Sequence, residues 1–284
     1  MRIKRFPNNP IIRPDMDDSM GANINGPSLI RVPDWIEKPL GRYYLYFAHH
    51  KGTYIRLAYA DRLEGPWAVY EAGTLRLEES FCVKHIASPD VHVDNERRQI
   101  RMYYHGVTDN GQKTRAALSD DGIHFTARRE ILGDFYFRVF RWGGYWYALA
   151  IAGIFYRSRD GLTNFEVGPR LFTENMRHSA VMLDGNRLFV FYSNIGDCPE
   201  RILLSTIELE PDWMTWKASD PVTILEPEKD YEGADLPLEP SVRGWAPERV
   251  RQLRDPAIFQ EDGKTYLLYS VAGEHGIAIA ELEE

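Results

Sequence analysis

Three titratable side chains stand at the starts of short apolar segments that are far apart in the chain. Asp90 follows a proline in ASPDV, His178 opens HSAV, and Asp255 precedes a proline in DPAI. Carboxyl and imidazole groups are the side chains that most often move protons near neutral pH. These residues therefore predict acid–base chemistry at a shared site. The alternatives are a turn cap for Asp90, an ion pair with Arg254 for Asp255, and a hydrogen-bonded core position for His178.

The segment 226–255 is too long for a plain connection between two strands. Loops of this length are usually lids or binding loops. Glu232 and Glu239 on this segment compete for the role of a further acid or base, and Trp245 has a ring suited to stacking on a sugar. The alternative for the two glutamates is a solvated loop in an acidic chain.

Five copies of one strand unit must position these residues. Almost no segment has the 3.6-residue apolar period of a helix, whereas short runs rich in Val, Ile, Tyr and Phe recur between turn residues. The aromatic second strands of the five units are RYYLYFAHH (42–50), QIRMYYHG (99–106), GYWYALAIAG (144–153), RLFVFYSN (187–194) and KTYLLYSVAG (264–273). The chain is thus predicted to be all-β, and the missing helices exclude a doubly wound α/β fold.

Five units in 284 residues give about 57 residues each, the size of a four-stranded propeller blade. We therefore predict a single five-bladed β-propeller domain over residues 1–284. The fifth unit has three clear strands, so the segment 3–6 is expected to add the missing outer strand and close the ring. A sandwich of two sheets is the competing architecture.

In a propeller the opening strand of each blade lines the central channel, and residues i and i+2 of a strand share a face. The residues predicted to face the channel are Gly26 and Ser28, Ser88 and Asp90, Tyr136 and Arg138, His178 and Ala180, and Asp255 and Ala257. The second strands return to the same mouth, which places His49, His50 and His105 around the opening.

Composition limits the partners of the chain. It has 34 Lys and Arg against 42 Asp and Glu, a formal net charge of −8, and no basic run. Neither nucleic acid nor a membrane surface is therefore expected to bind, and the expected partner is a small neutral molecule or an oligosaccharide.

No apolar stretch follows MRIKRFPNNP, which predicts a cytoplasmic protein. Cys82 and Cys198 lack ligand-like spacing, so neither a disulfide framework nor a metal or cofactor site is predicted, and the oligomeric state stays open.

Five short patterns in blade order resemble the five-bladed propeller glycosidases, which include glycoside hydrolase families 43, 117 and 130. They are LAYADRLEGPW (57–67), ASPDVHV (87–93), LSDDGIHF (118–125), RSRDGLTNF (157–165) and RDPAIF (254–259). Resemblance to family 43 implies an inverting hydrolase with an aspartate base in the first blade, a second aspartate that tunes the acid, and a glutamate acid in the third blade. Asp90 matches the second aspartate, whereas Asn25 and Gly26 stand at the first position and Tyr136 and Arg138 at the third.

The first of three functional hypotheses is a glycoside hydrolase, inverting and exo-acting on a furanoside or an unusual pyranoside. Asp90, Asp255, a glutamate of the long loop and His178 share the acid and base roles in this hypothesis, and resemblance to family 117 implies a histidine acid. The second is a glycoside phosphorylase, as resemblance to family 130 implies, with phosphate held by arginines. The third is a carbohydrate-binding propeller without catalysis. The predicted binding residues are Asn25, His49, His50, His105, Arg138, Arg177, Arg254 and Trp245.

Overall fold

The computed structural model describes residues 2–283, which form five antiparallel sheets arranged as propeller blades. The first blade contains β2 (Asn25–Arg31), β3 (Tyr43–Ala48), β4 (Arg56–Ala60) and β5 (Ala68–Tyr70). The second contains β6 (Val83–Asp94), β7 (Gln99–Thr108), β8 (Gly111–Ser119), β9 (Thr126–Ala127) and β10 (Gly133–Asp134). The third contains β11 (Arg138–Trp142), β12 (Tyr145–Ala150), β13 (Ile154–Ser158) and β14 (Glu166–Arg170).

The fourth blade contains β15 (Met176–Asp184), β16 (Arg187–Asn194), β17 (Ile202–Glu208) and β18 (Val222–Leu225). The fifth contains β19 (Arg254–Glu261), β20 (Lys264–Ser270) and β21 (Ile277–Glu283), and it is completed by β1 (Arg2–Arg5) from the other end of the chain. The prediction of an all-β, five-bladed propeller closed by an N-terminal strand is confirmed. Among the described residues, no helix is long and apolar enough to cross a membrane.

The hydrophobic core lies between the blades. Every residue of β3, with the sequence YYLYFA, is buried, because the strand has a neighbouring strand on each side and a neighbouring blade on each face. Tyr46 of the first blade packs in one cluster with Met102 and Tyr104 of the second. The Tyr46 hydroxyl group donates a hydrogen bond to the carbonyl oxygen of Gly122 at 2.7 Å. Aromatic residues with a polar tip therefore fill the space between blades while their hydroxyl groups stay hydrogen-bonded.

Ring closure depends on β1 and on one buried glutamate. β1 pairs antiparallel with β21, with Arg5 opposite Ala280. Glu232 is fully buried, and its Oε1 atom accepts hydrogen bonds from Arg5 Nε at 2.7 Å and from the Tyr269 hydroxyl group at 2.8 Å. The ion pair thus fastens the closing strand to the long loop between the fourth and fifth blades.

A backbone irregularity recurs within or just before the opening strand of every blade. Gly26, Ser88, Tyr136, His178 and Asp255, one from each blade, have φ of 61°, 51°, 71°, 49° and 48°. In β2, β6, β15 and β19 the register of pairing also shifts at this position. A bulge interrupts the alternation of a strand and redirects the side chains that follow. Residues i and i+2 of these strands therefore do not face the same space, which alters the predicted lining of the channel.

Candidate active site

A cavity of about 180 Å³ lies at the mouth where the opening strands begin and the second strands end. Four imidazoles, those of His50, His85, His105 and His178, line it together with the carboxyl group of Asp255. Neighbouring rings are close, with centroid separations of 6.0 Å between His85 and His105 and 5.3 Å between Tyr136 and His178. Groups from all five blades thus meet at one end of the channel, as the strand alignment predicted for His178 and Asp255.

Asp255 is the carboxyl group of the cavity wall. Its side chain is almost fully buried, and its Oδ1 atom accepts a hydrogen bond from the Tyr136 hydroxyl group at 2.6 Å. Its Oδ2 atom has no hydrogen-bond partner within the described residues 2–283. Burial and the nearby charge of Glu274 raise the pKa of Asp255 from 3.8 to about 6, against the opposing effects of Tyr136 and two arginines. The group is therefore protonated below about pH 6 and mostly ionised at pH 7.

The imidazoles of the cavity are held in the neutral form. Burial, followed by the charges of Arg177 and Arg254, lowers the pKa of His178 well below 6.5. Burial and the neighbouring imidazoles lower the pKa of His105 in the same direction. His178 Nδ1 lies 3.7 Å from Asp255 Oδ1, which is too long for a hydrogen bond. A neutral imidazole can accept a proton but has little charge to stabilise an anion.

Two arginines predicted to bind substrate are engaged by buried glutamates. Glu200 accepts Arg177 through both carboxylate oxygens and also contacts Arg254 Nε at 3.1 Å. Arg254 Nη1 donates to Glu274 Oε1 at 2.9 Å. All four side chains are at most 3% exposed. The buried charges thus compensate each other, as charges in a protein interior must.

Asn25 and His50 belong to the same network. Asn25 Nδ2 donates to Glu274 Oε2 at 2.9 Å, and His50 Nδ1 lies 3.7 Å from the same oxygen. The His50 side chain is 36% exposed, whereas Glu274 behind it is buried. Burial lowers the pKa of His50, and the charge of Glu274 acts in the opposite direction. His50 is therefore an accessible, neutral imidazole with a carboxylate behind its ring.

The long loop forms one side of the mouth and is anchored by the cavity's own arginines. Arg177 Nη1 donates to the carbonyl oxygens of Val242 and Gly244 at 3.3 and 3.2 Å, and Arg254 Nη1 also donates to Gly244 at 3.2 Å. Trp245 follows in the chain, is half-buried and does not line the cavity. The ammonium group of Lys51 lies 4.7 Å from the centroid of the Trp245 ring.

His49 stands at the mouth but does not line the cavity. Its ring is 6.4 Å from the ring of Trp245, and its Nδ1 atom accepts a hydrogen bond from the backbone of Lys51 at 2.9 Å. His49 and Trp245 are therefore neighbours at the mouth, as expected from the strand end and the loop that carry them.

Asp90 lies outside the cavity. Its Oδ2 atom accepts hydrogen bonds from His92 Nε2 and from the backbone N–H of Val139, both at 2.8 Å. Burial would raise the pKa of Asp90, but His92, Arg138 and the Val139 amide lower it below 3.8. The alternation rule placed Asp90 on the same face as Ser88. The bulge at Ser88 interrupts the alternation, so Ser88 lines the cavity and Asp90 does not.

Arg138 is also off the cavity wall. Its guanidinium group donates to the carbonyl oxygens of Ser179 at 2.9 Å and of Pro89 at 3.3 Å, and it stacks 4.4 Å from the ring centroid of Tyr136. It therefore ties three blades together below Tyr136 and lies close to Asp90 rather than to a ligand.

The two glutamates of the long loop do not line the cavity either. Glu232 is buried in the ring closure with Arg5, and Glu239 is exposed on the loop surface. Both predicted acid or base residues therefore lie away from Asp255.

Four residues of the site were not predicted as functional. Tyr136 was placed on the channel face but given no role, and His85 stands in the same strand as Asp90 without a pattern of its own. Glu200 and Arg243 occur in loops, where no periodicity indicates the direction of a side chain. Among residues 2–283, no group of three or more His, Cys, Asp and Glu side chains is arranged to hold a metal ion.

Comparison with known proteins finds a relative that is similar in sequence and several solved structures that are similar in fold. No protein-family model matches the chain. Uncharacterized protein R118 of Acanthamoeba polyphaga mimivirus is 38% identical over 320 residues, covering 99% of this chain and 90% of that protein.

Several solved structures share the fold of this chain at low sequence identity. A thermostable family-43 glycoside hydrolase is 15% identical, with a TM-score of 0.63 over 92% of this chain and 90% of its own. A family-43 β-xylosidase/α-arabinofuranosidase from a compost microbial metagenome is 13% identical, with a TM-score of 0.65 over 99% and 96%. A family-43 enzyme from Xanthomonas citri, complexed with xylose, is 12% identical, with a TM-score of 0.61 over 93% and 88%. The predicted resemblance to propeller glycosidases is thus confirmed for the fold.

Proposed function

This chain belongs to the same family as the mimivirus protein R118, and we propose that it is a glycoside hydrolase whose active site is the cavity around Asp255. The observation that carries the proposal is the buried Asp255 carboxyl group, with a pKa raised to about 6 and one oxygen without a protein partner. A carboxyl group with such a pKa at the mouth of a sugar-hydrolase fold is suited to proton transfer. The shared propeller fold supports a glycosidic substrate.

Asp255 is the general acid of the proposed reaction. Its proton passes to the oxygen of the glycosidic bond as the bond between that oxygen and the anomeric carbon breaks. The Tyr136 hydroxyl group holds Oδ1, which leaves Oδ2 to carry the proton. The sequence left the acid role open between His178 and a carboxyl group; burial keeps the His178 ring neutral, which favours Asp255 as the acid.

His50 is the general base. Its neutral ring accepts a proton from a water molecule as the water oxygen bonds to the anomeric carbon from the opposite face. Glu274, 3.7 Å behind Nδ1, stabilises the imidazolium that forms. The reaction is a single displacement, so the product has inverted configuration, and solvent returns the proton from His50 to Asp255 before the next turnover.

Exo action on a furanoside or a pyranoside is part of the proposal. The cavity is small and the long loop bounds one side of its mouth, which suits the terminal sugar of a chain rather than an internal one. The phosphorylase hypothesis has less support, because Arg177 and Arg254 are neutralised by glutamates and Arg138 is held by backbone carbonyl oxygens.

The test compares Asp255→Asn with His50→Gln on aryl glycosides whose leaving groups differ in acidity. Loss of a general acid or base reduces kcat/KM by about 10²–10⁴-fold. We expect Asp255→Asn to show the full loss with poor leaving groups and a much smaller loss with dinitrophenyl glycosides, which leave without protonation. His50→Gln should lose activity to the same extent with both kinds.

The pH profile and a matched variant complete the test. Since Asp255 must be protonated, wild-type kcat/KM should fall as the pH rises above about 6, and it should fall again at low pH as His50 becomes charged. NMR of the first product formed reports the anomeric configuration. If Asp90→Asn abolished turnover while Asp255→Asn did not, the assignment would be wrong. Sugar binding without turnover in the wild type would favour a binding propeller.

A further inference from the structure

We infer that the sugar bound in this cavity carries an acidic group, a carboxylate or a sulfate, and that Arg243 binds it. This inference deepens the proposed function and rests on it. Composition alone suggested a small neutral partner, since the whole chain has a net charge of −8. The charge distribution at the cavity mouth differs from that of the chain.

The backbone presents Arg243 to the cavity in a fixed position. Arg177 Nη1 hydrogen-bonds the carbonyl oxygens of Val242 and Gly244, the residues immediately before and after Arg243. Gly244 has a φ of 98°, a conformation that side chains other than glycine rarely adopt. Arg243 lines the cavity, and its side chain is exposed there to solvent. A flexible surface arginine would lack these flanking contacts.

Arg243 has no carboxylate partner within 4 Å among the described residues 2–283, in contrast to the two other arginines that bound the site. Arg177 and Arg254 are paired with Glu200 and Glu274, and Arg138 donates to backbone carbonyl oxygens. An unpaired guanidinium group beside a cavity is a ready partner for a planar anion, which it can bind through two parallel N–H groups.

The local charge balance points the same way. Four acidic side chains, those of Asp90, Asp255, Glu200 and Glu274, lie among three buried arginines, those of Arg138, Arg177 and Arg254, and Asp255 is uncharged below about pH 6. Two further cations, Arg243 and Lys51, stand at the mouth. Lys51 lies over the ring of Trp245 and forms no ion pair with a carboxylate of residues 2–283. The mouth thus has an excess of positive charge in an acidic protein, which attracts an anion.

An acidic substituent is compatible with the proposed chemistry. Its negative charge is neutralised by Arg243 and does not require Asp255 to ionise. Asp255 can therefore donate its proton while the acidic substituent is paired with Arg243.

The experiment uses the full chain and glycosides in matched pairs. Aryl hexosides are compared with the corresponding uronides, which differ by a carboxylate in place of the hydroxymethyl group, and with hexosides sulfated at the same carbon. We expect an acidic member to exceed its neutral partner in kcat/KM at least tenfold. Arg243→Gln should reduce this preference, measured as the ratio of kcat/KM for the acidic and the neutral partner, at least tenfold.

Arg249→Gln is the matched control. Arg249 lies on the same loop, but its Nη2 atom donates to the carbonyl oxygen of Asp230 at 2.8 Å and it does not line the cavity. This variant should retain the wild-type preference. A preference for the sulfated over the carboxylated substrate, lost in Arg243→Gln, supports the inference and identifies the anion.

The outcomes separate this inference from the proposed function. Efficient hydrolysis of neutral glycosides, with a preference unaffected by Arg243→Gln, overturns the inference and leaves the hydrolase proposal intact. Turnover of neutral glycosides that requires inorganic phosphate, and that Arg243→Gln abolishes, overturns the inference by assigning Arg243 to phosphate. If neither acidic nor neutral sugars are cleaved or bound by the wild type, both proposals fail.

Discussion

Asp255→Asn should make the protein more stable at neutral pH while reducing its activity on glycosides with poor leaving groups. In the unfolded chain an aspartate has a pKa of 3.8, and in the folded protein Asp255 has a pKa of about 6. Between these values the folded state holds a proton that the unfolded state has released, so stability falls as the pH rises from about 3.8 to 6. At about 1.4 kcal/mol per pH unit, the accumulated loss is about 3 kcal/mol above pH 6.

Asparagine has a similar shape and does not ionise. Its amide oxygen can still accept the hydrogen bond from Tyr136, so the variant avoids the cost of a buried charge without losing that contact. We expect urea unfolding to give equal stabilities for the two proteins at pH 3.5, and a variant more stable by about 2–3 kcal/mol at pH 7.5. Contributions from the neutral histidines are the same in both proteins and cancel in the difference.

Asp90→Asn should change the stability of the protein in the opposite direction. The pKa of Asp90 lies below 3.8, so its charge stabilises the folded state above pH 3.8, and the variant should be less stable than the wild type at pH 7.5. A difference between Asp255→Asn and wild type that did not change from pH 3.5 to 7.5 would refute the reasoning, because it would mean that Asp255 has an ordinary pKa. The acid role would then have no basis.

Two further predictions follow from the charges around the cavity and at the ring closure. Glu274→Gln removes a charge that raises the pKa of Asp255, so the alkaline limb of the kcat/KM profile should move to lower pH; an unchanged limb would show that Glu274 does not tune the acid. Glu232→Ala leaves Arg5 and Tyr269 without their buried partner, and breaking such a pair costs about 3–5 kcal/mol. Thermal unfolding should therefore show a large drop in Tm, and a drop of one or two degrees would contradict the role of Glu232 in closure.

The sequence alone was sufficient to predict the architecture of the chain. Strand repeats carry a strong signal because each blade needs the same apolar and aromatic pattern to pack against its neighbours. Even the closing strand could be predicted, since the fifth unit was one strand short. The fourth strand of the fourth blade, β18, is only four residues long and half exposed, so it adds little to the repeat pattern.

The site could be predicted only in part. His178 and Asp255 were placed correctly at the mouth, because the alignment of the blades sets which residues lie near the starts of the opening strands. Asp90 and Arg138, two positions further along, were placed on the same face by the rule of alternation. The left-handed residues that open the strands break this rule, and apart from Gly26 they are not glycines, so no residue type in the sequence signalled the break.

The repeat pattern could not predict the orientation of loop residues or the partners of buried charges. Glu232 was expected in the site because it lies on a loop at the mouth, yet its partner Arg5 is separated from it by 227 positions. Arg243 was not predicted as a site residue for the same reason. Whether a charged residue on a loop faces a ligand or a buried partner depends on contacts across the whole chain.

The pairing of β1 with β21 has a consequence for biosynthesis. β1, which precedes every other strand of the propeller in the chain, pairs with β21, which follows them all, with Arg2 opposite Glu283. On the ribosome, β1 remains without its hydrogen-bonding partner until every blade has been made, whereas the first four blades are each contiguous in the nascent chain. The fifth blade therefore assembles after the other four, and a polypeptide stalled before Ile277 would expose both an open ring and an unpaired strand to the quality-control machinery of the cell.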